Sequence, residues 1–379
     1  MDYSAFTEEA HRLFLTDYSS ELNRNGILQP TKNRDPIFPP WLGIEYESME
    51  MDRAKYFLYY TSIHLCLKSW DPKNILNILV VGAGRGRLVD FCNECLNEFN
   101  ISGTVHVLEV NTCANNLLKQ KFDGDSKVVI HEPIAIRTVK EIESAISSNH
   151  CDSKLTNLAK TKCVDLFVSE LFGSFGDNEF VAEILSASVK LFGKHSESGL
   201  PLCTSIPESY TTYICAIHSK TLGKYFKENP SEQLHVLGLP RDTTFLTQIA
   251  DVYTASCTSR LDNTKHNVIF HRKSGTEDIT WTGLAGYFRA KLYGELYIDT
   301  RPTAKQNTYF WESAFFPLTN DFTPSCQTVT VSISRICKKV KSKQILDVKY
   351  PQLKMWYEWT CPEGTSTHNA NGKHHILYL

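Results

Sequence analysis

Residues 75–86 read ILNILVVGAGRG. From Ile75 to Val81 the run is apolar except at Asn77, and branched side chains dominate it. A short run of this kind, with glycines behind it, suits a strand buried on both faces. Residues 88–99, LVDFCNECLNEF, then repeat apolar side chains at helical spacing. A strand that passes through Gly82, Gly84 and Gly86 into a helix opens an α/β unit. Glycine adopts positive φ without strain, and its missing Cβ lets backbone N–H groups approach a ligand at the helix N-terminus. The glycines alone are a weak sign of a ligand, because many strand-to-helix turns need them for geometry only.

Downstream of this unit the pattern repeats. Strand-like TVHVLEV (104–110), KVVIHEP (127–133) and VDLFVSELF (164–172) alternate with helical CANNLLKQKF (113–122), a helix and linker over 138–160, and EFVAEILSASVKLF (179–192). Strands alternating with helices imply right-handed crossovers and a mainly parallel sheet. Upstream, apolar and aromatic residues recur at helical spacing from Met49 to Trp70, and residues 1–45 read as an arm with the proline-rich PTKNRDPIFPPW. Beyond Cys203 the pattern changes to alternating runs such as YTTYICAI (210–217), AGYFRAKLYGELYID (285–299), TVTVSISRI (328–336) and MWYEWT (355–360). These predict antiparallel strands, with a less regular insertion over 219–251. The expected organisation is an N-terminal arm at 1–45, an α/β Rossmann-like domain at 46–203 and an antiparallel β-barrel domain at 204–379.

The 379 residues carry 40 Lys+Arg and 42 Asp+Glu, for a formal charge of -2. That balance argues against a general nucleic-acid coat protein. The apolar runs fall short of the roughly 20 residues a membrane helix needs. No secretory leader is legible at the N-terminus, so a cytoplasmic or nuclear location is expected. The twelve cysteines are scattered. Cys92 and Cys95 make a CxxC pair inside a helical pattern, where packed thiols fit better than a metal site. With no HxxxH or HExxH pair among the histidines, no metal is assigned. The run Arg335, Lys338, Lys339, Lys341, Lys343 reads as a solvated strand end or loop.

Two acids and one loop carry the chemistry. Glu109 closes the second strand, where a carboxylate can accept both hydroxyls of a ribose. The GxGxG spacing at 82–86 leaves the ligand open. Dinucleotide turns usually read GxGxxG, and GxGxG is favoured where S-adenosyl-L-methionine binds. After the fourth strand, residues 169–179 read SELFGSFGDNE. Glu170 and Glu179 flank its glycines, so their carboxylates can converge on one cation. A planar guanidinium, with its fork of donors, is the cation that such a pair fits.

At this point the chain resembles the protein arginine methyltransferases, in particular their type II, symmetric-dimethylating branch. The likeness runs from about Tyr46 to the C-terminus. It is carried by YESMEMDRAKY (46–56), VVGAGRGRLV (80–89), VSELFGSFGDNE (168–179), SIPESYTTY (205–213), LAGYF (284–288), FWESAFFPL (310–318) and the ending WYEW…HNANGKHHILYL. The resemblance implies methyl transfer from S-adenosyl-L-methionine to arginine in proteins, such as glycine- and arginine-rich segments or histone tails. By the same resemblance Tyr46, Lys55 and Tyr56 line the cofactor pocket, and Gly82, Gly84 and Arg85 turn around its methionine portion. Glu109 holds the ribose and Glu132 lies near the adenine amine. Glu170 and Glu179 clamp the substrate, and Trp311 walls the arginine pocket. The branch usually carries a large N-terminal barrel domain that recruits a propeller partner. With about 45 residues before the match, that domain is expected to be absent here.

Two positions depart from the branch. Met49 stands where it has phenylalanine, and Phe310 stands where it has serine before the pocket tryptophan. Symmetric dimethylation or monomethylation is the expected chemistry. Asymmetric dimethylation, a non-catalytic cofactor-binding member of the fold, and a nicotinamide-dependent oxidoreductase are the alternatives. No nucleic-acid or membrane partner is expected, and a homo-oligomer is compatible with the sequence.

Overall fold

The computed structural model describes residues 49–134, 139, 143, 146, 151–259, 261–305, 308, 310–340, 344–345, 348–349 and 353–379. The expected arm and Tyr46 lie outside these residues. The first described helix, α1 (Arg53–Lys68), starts at Asp52, whose side chain accepts from Lys55 N. Strands β1 (Leu76–Val81), β2 (Gly103–Leu108), β3 (Val128–Ile130), β4 (Leu166–Ser169) and β5 (Thr204–Ile206) form one sheet in the order β3-β2-β1-β4-β5. Every pairing in it is parallel. Helices α2 (Arg87–Glu98), α3 (Thr112–Lys121), α4 (Ser153–Thr161) and α5 (Val181–Phe192) occupy the connections. The chain builds outward from β1 to β3 and then returns to the other side of β1 with β4. The reversal leaves a crevice at the C-terminal ends of β1 and β4, where ligands bind in open α/β sheets.

The remaining strands are β6 (Ser209–His218), β7 (His235–Leu237), β8 (Thr244–Phe245), β9 (Ala250–Ser256), β10 (Thr264–His271), β11 (Trp281–Tyr293), β12 (Leu296–Asp299), β13 (Ser313–Phe322), β14 (Thr328–Lys339), β15 (Gln344–Ile345), β16 (Val348–Lys349), β17 (Leu353–Thr360) and β18 (Leu377–Tyr378). Two large antiparallel sheets result, β10-β14-β17-β18 and β7-β13-β11-β6-β8, with β9 on β6 and β12 on β11, and β15 pairs with β16 in a small third sheet. The alternation in TVTVSISRI explains how β14 packs: Val329, Val331, Ile333 and Arg335 share its buried face. The less regular insertion holds helix α6 (Lys220–Glu228). Its Leu222 and Phe226, four apart, pack with Ile217, Ala285 and Phe315 in a small cluster of their own. One larger core joins the two halves. It contains Leu58 and Ile63 of α1, Val80 of β1, Leu284 of β11 and Met355 of β17. Helix α1 touches β5, β11 and β12 as well as α2, so it lies at the seam.

Candidate active site

The glycine turn after β1 is built as its sequence requires. Gly82, Gly84 and Gly86 have φ of 70°, 54° and 90°, all in the left-handed region. A Cβ on Gly82 would stand 2.7 Å from Leu171 Cδ2, so this turn packs directly on the loop that follows β4. Gly84 N donates to Glu109 Oε2 at 2.7 Å, and Asn111 N donates to Glu109 Oε1 at 2.8 Å. Burial pushes the Glu109 carboxyl up, and these backbone donors oppose the shift. Each oxygen retains a second acceptor site. One carboxylate with two half-used oxygens, beside a turn of close-approach glycines, matches a vicinal diol such as a ribose. The residues present therefore fit a nucleoside cofactor.

The second half of the site gathers around Lys55, whose side chain is 0% exposed. Its Nζ donates to Glu170 Oε2 at 3.4 Å. The ammonium also lies 4.7 Å from the Tyr56 ring centre, 4.6 Å from that of Phe310 and 5.2 Å from that of Trp311. A desolvated cation over aromatic faces gains about 2 kcal/mol. Three rings and one carboxylate thus compensate an ammonium that burial alone would penalise. The rings come from both halves of the chain. Asp52 ties them together: Oδ1 accepts Lys55 N at 3.1 Å and Oδ2 accepts Phe310 N at 3.1 Å. Trp311 Nε1 donates to the Phe172 carbonyl at 2.8 Å, and Phe172 N donates to Glu170 Oε1 at 3.2 Å. Tyr59 Oη donates to the Ser169 carbonyl at 2.8 Å, which fixes the end of β4 against α1.

Glu179 completes this cleft. Glu179 is exposed, with protein groups close enough to act on its carboxyl. Loss of surrounding water, then the charge of Glu170, push its carboxyl up to about 8, and Lys55 pulls it down. The upward direction is what the crowding and the like charge require; the open face tempers it. Between the two glutamates the loop closes on itself, with Gly173 N to Gly176 O at 3.1 Å and Gly176 N to Gly173 O at 2.8 Å. Asp177, fully buried, turns away from the cleft into the antiparallel sheets.

The remaining expected positions are placed as follows. Met49 and Phe310 are half-buried. Arg85 Nε lies 3.8 Å from Glu50 Oε1. Glu132 is an exposed acid that accepts from Lys119 Nζ at 2.7 Å. Its backbone N donates to Asp152 Oδ2 at 3.1 Å, and Asp152 Oδ1 lies 3.3 Å from His131 Nδ1. Cys92 and Cys95 are buried in the α2 packing. One expectation is overturned. Arg335 is no part of a solvated run: its side chain is 0% exposed and pairs with Asp177 and Glu183. Sequence pattern alone does not mark Asp52, Asp177 or Arg335 as site residues. For Arg335 a signal exists, because the period of two in TVTVSISRI puts it on the face of Val331 and Ile333.

A parallel sheet with a nucleoside cradle at its switch point, joined through a two-carboxylate cleft to antiparallel sheets, defines the architecture of the arginine methyltransferases. The chain belongs to the PRMT5 family: residues 36–198 match the family described as PRMT5 arginine-N-methyltransferase, and residues 209–377 match the PRMT5 oligomerisation domain. It is 27% identical to protein arginine N-methyltransferase 5 of Oryza sativa subsp. indica, over 100% of this chain and 55% of that protein. It is 26% identical to the Xenopus laevis protein of the same name, over 88% of this chain and 50% of the relative. Identity with protein arginine N-methyltransferase skb1 of Schizosaccharomyces pombe is 24%, over 87% and 52%. The chain thus spans about half the length of these relatives. Among solved structures, the crystal structure of PRMT6 aligns with a TM-score of 0.57 at 15% identity, covering 83% of this chain and 98% of that one. The Trypanosoma brucei PRMT1 enzyme-prozyme complex aligns at 0.55 and 12% identity, covering 84% and 94%. These structural likenesses are likenesses of fold.

Proposed function

We propose that this chain methylates arginine side chains of proteins with S-adenosyl-L-methionine as donor, giving monomethylated or symmetrically dimethylated arginine. The observation that carries this reading is the cleft itself. Glu179 feels the charges of Glu170 and Lys55, and Lys55 itself bonds Glu170 and lies against Phe310 and Trp311, which supports a shared site for the two glutamates beside these rings. Gly82, Gly84 and Arg85 would turn around the methionine portion of the cofactor, Glu109 would hold its ribose, Lys55 and Tyr56 would line its pocket, and Glu132 would lie toward the adenine. When bound, that cofactor supplies an electrophilic methyl group on a sulfonium.

The chain's own residues have the harder task, because a guanidinium is delocalised and a poor nucleophile. Glu170 and Glu179 would bind two edges of it and localise its charge away from one terminal nitrogen. The same carboxylates would offset the cationic charge on that nitrogen as its bond to the methyl carbon forms and the methyl–sulfur bond breaks, the electron pair staying on sulfur as a neutral thioether. The nitrogen then releases a proton, and Glu179, as a carboxylate beside it, is the proposed acceptor. Trp311 and Phe310 exclude water from one side and align the acceptor, which is most of what such a transfer demands.

The match of residues 209–377 to an oligomerisation domain supports assembly with a second subunit. Glycine- and arginine-rich segments are the proposed substrates. The test incubates the protein with the cofactor and a glycine/arginine-rich peptide and resolves the products by mass spectrometry. Expected products are monomethyl- and symmetric dimethylarginine. Calorimetry runs in parallel: Glu109→Gln should weaken binding of the demethylated cofactor by about 1.5–3 kcal/mol, the scale of a hydrogen bond to a charged group. Unaltered peptide together with undetectable cofactor binding would refute the proposal.

A further inference from the structure

Glu179 stands on a segment that the antiparallel half of the chain grips from both sides. Asp177 precedes it in the loop, and Glu183 follows it on the first turn of α5. Both acids reach one residue, Arg335 of β14. Arg335 Nε lies 2.6 Å from Asp177 Oδ2, and Nη2 donates to Glu183 Oε1 and Oε2 at 2.8 and 2.9 Å. Three phenols complete the node: Tyr210 of β6 donates to Asp177 at 3.0 Å, Tyr253 of β9 at 3.0 Å and Tyr357 of β17 at 2.5 Å. The backbone between the two acids is fixed as well. Phe180 N donates to Asp177 O at 3.0 Å, and Phe180 enters α5 with φ of 65°. Asn178 Oδ1 accepts Phe175 N at 2.7 Å.

We propose that Arg335 is a positioning residue for arginine methylation: by holding Asp177 and Glu183 together it sets where the Glu179 carboxylate stands relative to Glu170. This rests on the reading of Glu179 as a substrate-holding group. Stability is a poor reason to keep such a node. Desolvation cancels much of the attraction in a buried ion pair, and apolar replacements are often as stable. Placement is a better one. One guanidinium engages both acids at once, Asp177 as an ion pair through Nε and Glu183 through hydrogen bonds from Nη2, and the two acids bracket Glu179 in the chain. A lysine ammonium is a point charge on a flexible stem and cannot hold both acids in the same geometry.

The experiment uses the full chain with Arg335→Lys and, as a milder change that keeps every ring, Tyr253→Phe. Four quantities are measured: the melting temperature, calorimetric affinity for the demethylated cofactor, kcat and KM on a glycine/arginine-rich peptide, and titration of Glu179. The last is followed by carboxyl carbon-13 resonance, assigned by its loss in Glu179→Gln. Cofactor affinity should stay within about twofold of the parent, because the node lies away from the Glu109 cradle. The kcat of Arg335→Lys should fall on the order of 10- to 100-fold, as for a displacement near 1 Å, with a smaller fall in Tyr253→Phe. The Glu179 midpoint should move, since its separation from Glu170 and Lys55 changes. Folded variants with parental kcat and parental midpoint overturn the proposal, whatever their melting temperatures. Should the parent transfer no methyl group, the functional reading fails by itself. The midpoint then decides the positioning alone, and an unmoved midpoint in a folded variant overturns it.

Discussion

At the scale of single residues, the site is a contest among a buried ammonium, a largely buried carboxylate and an exposed one. Lys55 is compensated by Glu170 and three rings, while Glu179 keeps a carboxyl pushed up to about 8. A clamp for a cation needs that carboxyl ionised. We therefore expect kcat/KM for peptide to rise with pH above the ordinary carboxylate range, because that ratio reports groups of the free enzyme. The rise in kcat should come at lower pH, since a bound guanidinium favours the carboxylate. Stability should run the other way. A carboxyl whose folded pKa is raised binds its proton more tightly in the folded state than in the unfolded one. Folding stability then declines as pH climbs from the ordinary carboxylate range toward 8. Glu179→Gln should abolish most turnover and also flatten that decline. Urea unfolding of parent and variant at several pH values checks the sign, and parallel curves would remove Glu179 as its source. Product choice belongs to this scale too. Met49 is a flexible thioether and Phe310 a ring over Lys55, and under the proposed function both would shape the space beside the acceptor nitrogen. Met49→Phe should lower any asymmetric product and leave monomethyl or symmetric arginine. Mass spectrometry of parent, Met49→Phe and Phe310→Ser on one peptide measures this. Identical distributions in all three would show that neither side chain selects the product.

At the scale of elements, the first turn of α1 and the segment before β13 are joined by one carboxylate. Asp52 Oδ1 caps the helix and Oδ2 holds Phe310 N. Asparagine keeps one acceptor oxygen and replaces the other with a donor. Asp52→Asn should then retain most of the cap, whose full loss costs about 1 kcal/mol, but release the Phe310–Trp311 segment. The expected result is a small change in melting temperature with a several-fold rise in peptide KM. Loss of the cap without change in KM would confine Asp52 to a helix-stabilising role. Sequence pattern reveals such elements unevenly. The apolar run at 76–81 and its glycines show β1 and the cradle directly, because local spacing encodes strand, turn and burial together. Glu170 and Glu179 stand out because an acid at each end of a short glycine loop has few geometric outcomes. The contact of Lys55 with Glu170 does not stand out, since a lysine in an amphipathic helix has the same local pattern whether it faces water or a carboxylate. Arg335 sits between these cases. Its alternation with Val331 and Ile333 marks an inward face, but the lysines that follow it mask that signal with an outward one. Only the register of β14 against β17, which pairs Arg335 with Tyr357, decides the matter.

At the scale of the whole molecule, the two halves share a core, a seam helix and a buried charge node. The nucleoside cradle lies in the parallel sheet, whereas four of the six tryptophans, Trp281, Trp311, Trp356 and Trp359, lie in the antiparallel half. That separation makes coupling measurable. Ligand bound only to the native state adds RT ln(1 + [L]/Kd), about 2.7 kcal/mol at a hundredfold excess over Kd. If the shared core and the Arg335 node make the chain one cooperative unit, the added stability is distributed over both halves. Far-ultraviolet circular dichroism reports all the backbone, and tryptophan fluorescence weights the antiparallel sheets. Both should follow a single coincident transition, and the demethylated cofactor should move both upward by the same amount. Independent halves would behave otherwise: only the backbone signal from the parallel sheet would shift, and the tryptophan transition would stay where it was. Trp311→Phe refines the outcome. It removes the N–H that reaches the Phe172 carbonyl while keeping an aromatic wall, so it deletes one link across the seam and leaves the core and the node. Its transitions should remain coincident with a slightly lower midpoint, by the roughly 1 kcal/mol of one hydrogen bond. Its peptide KM should rise more than its cofactor Kd, because the ring closes the arginine side of the cleft. Splitting of the two transitions in Trp311→Phe would mean instead that this single bond, rather than the core, holds the halves together.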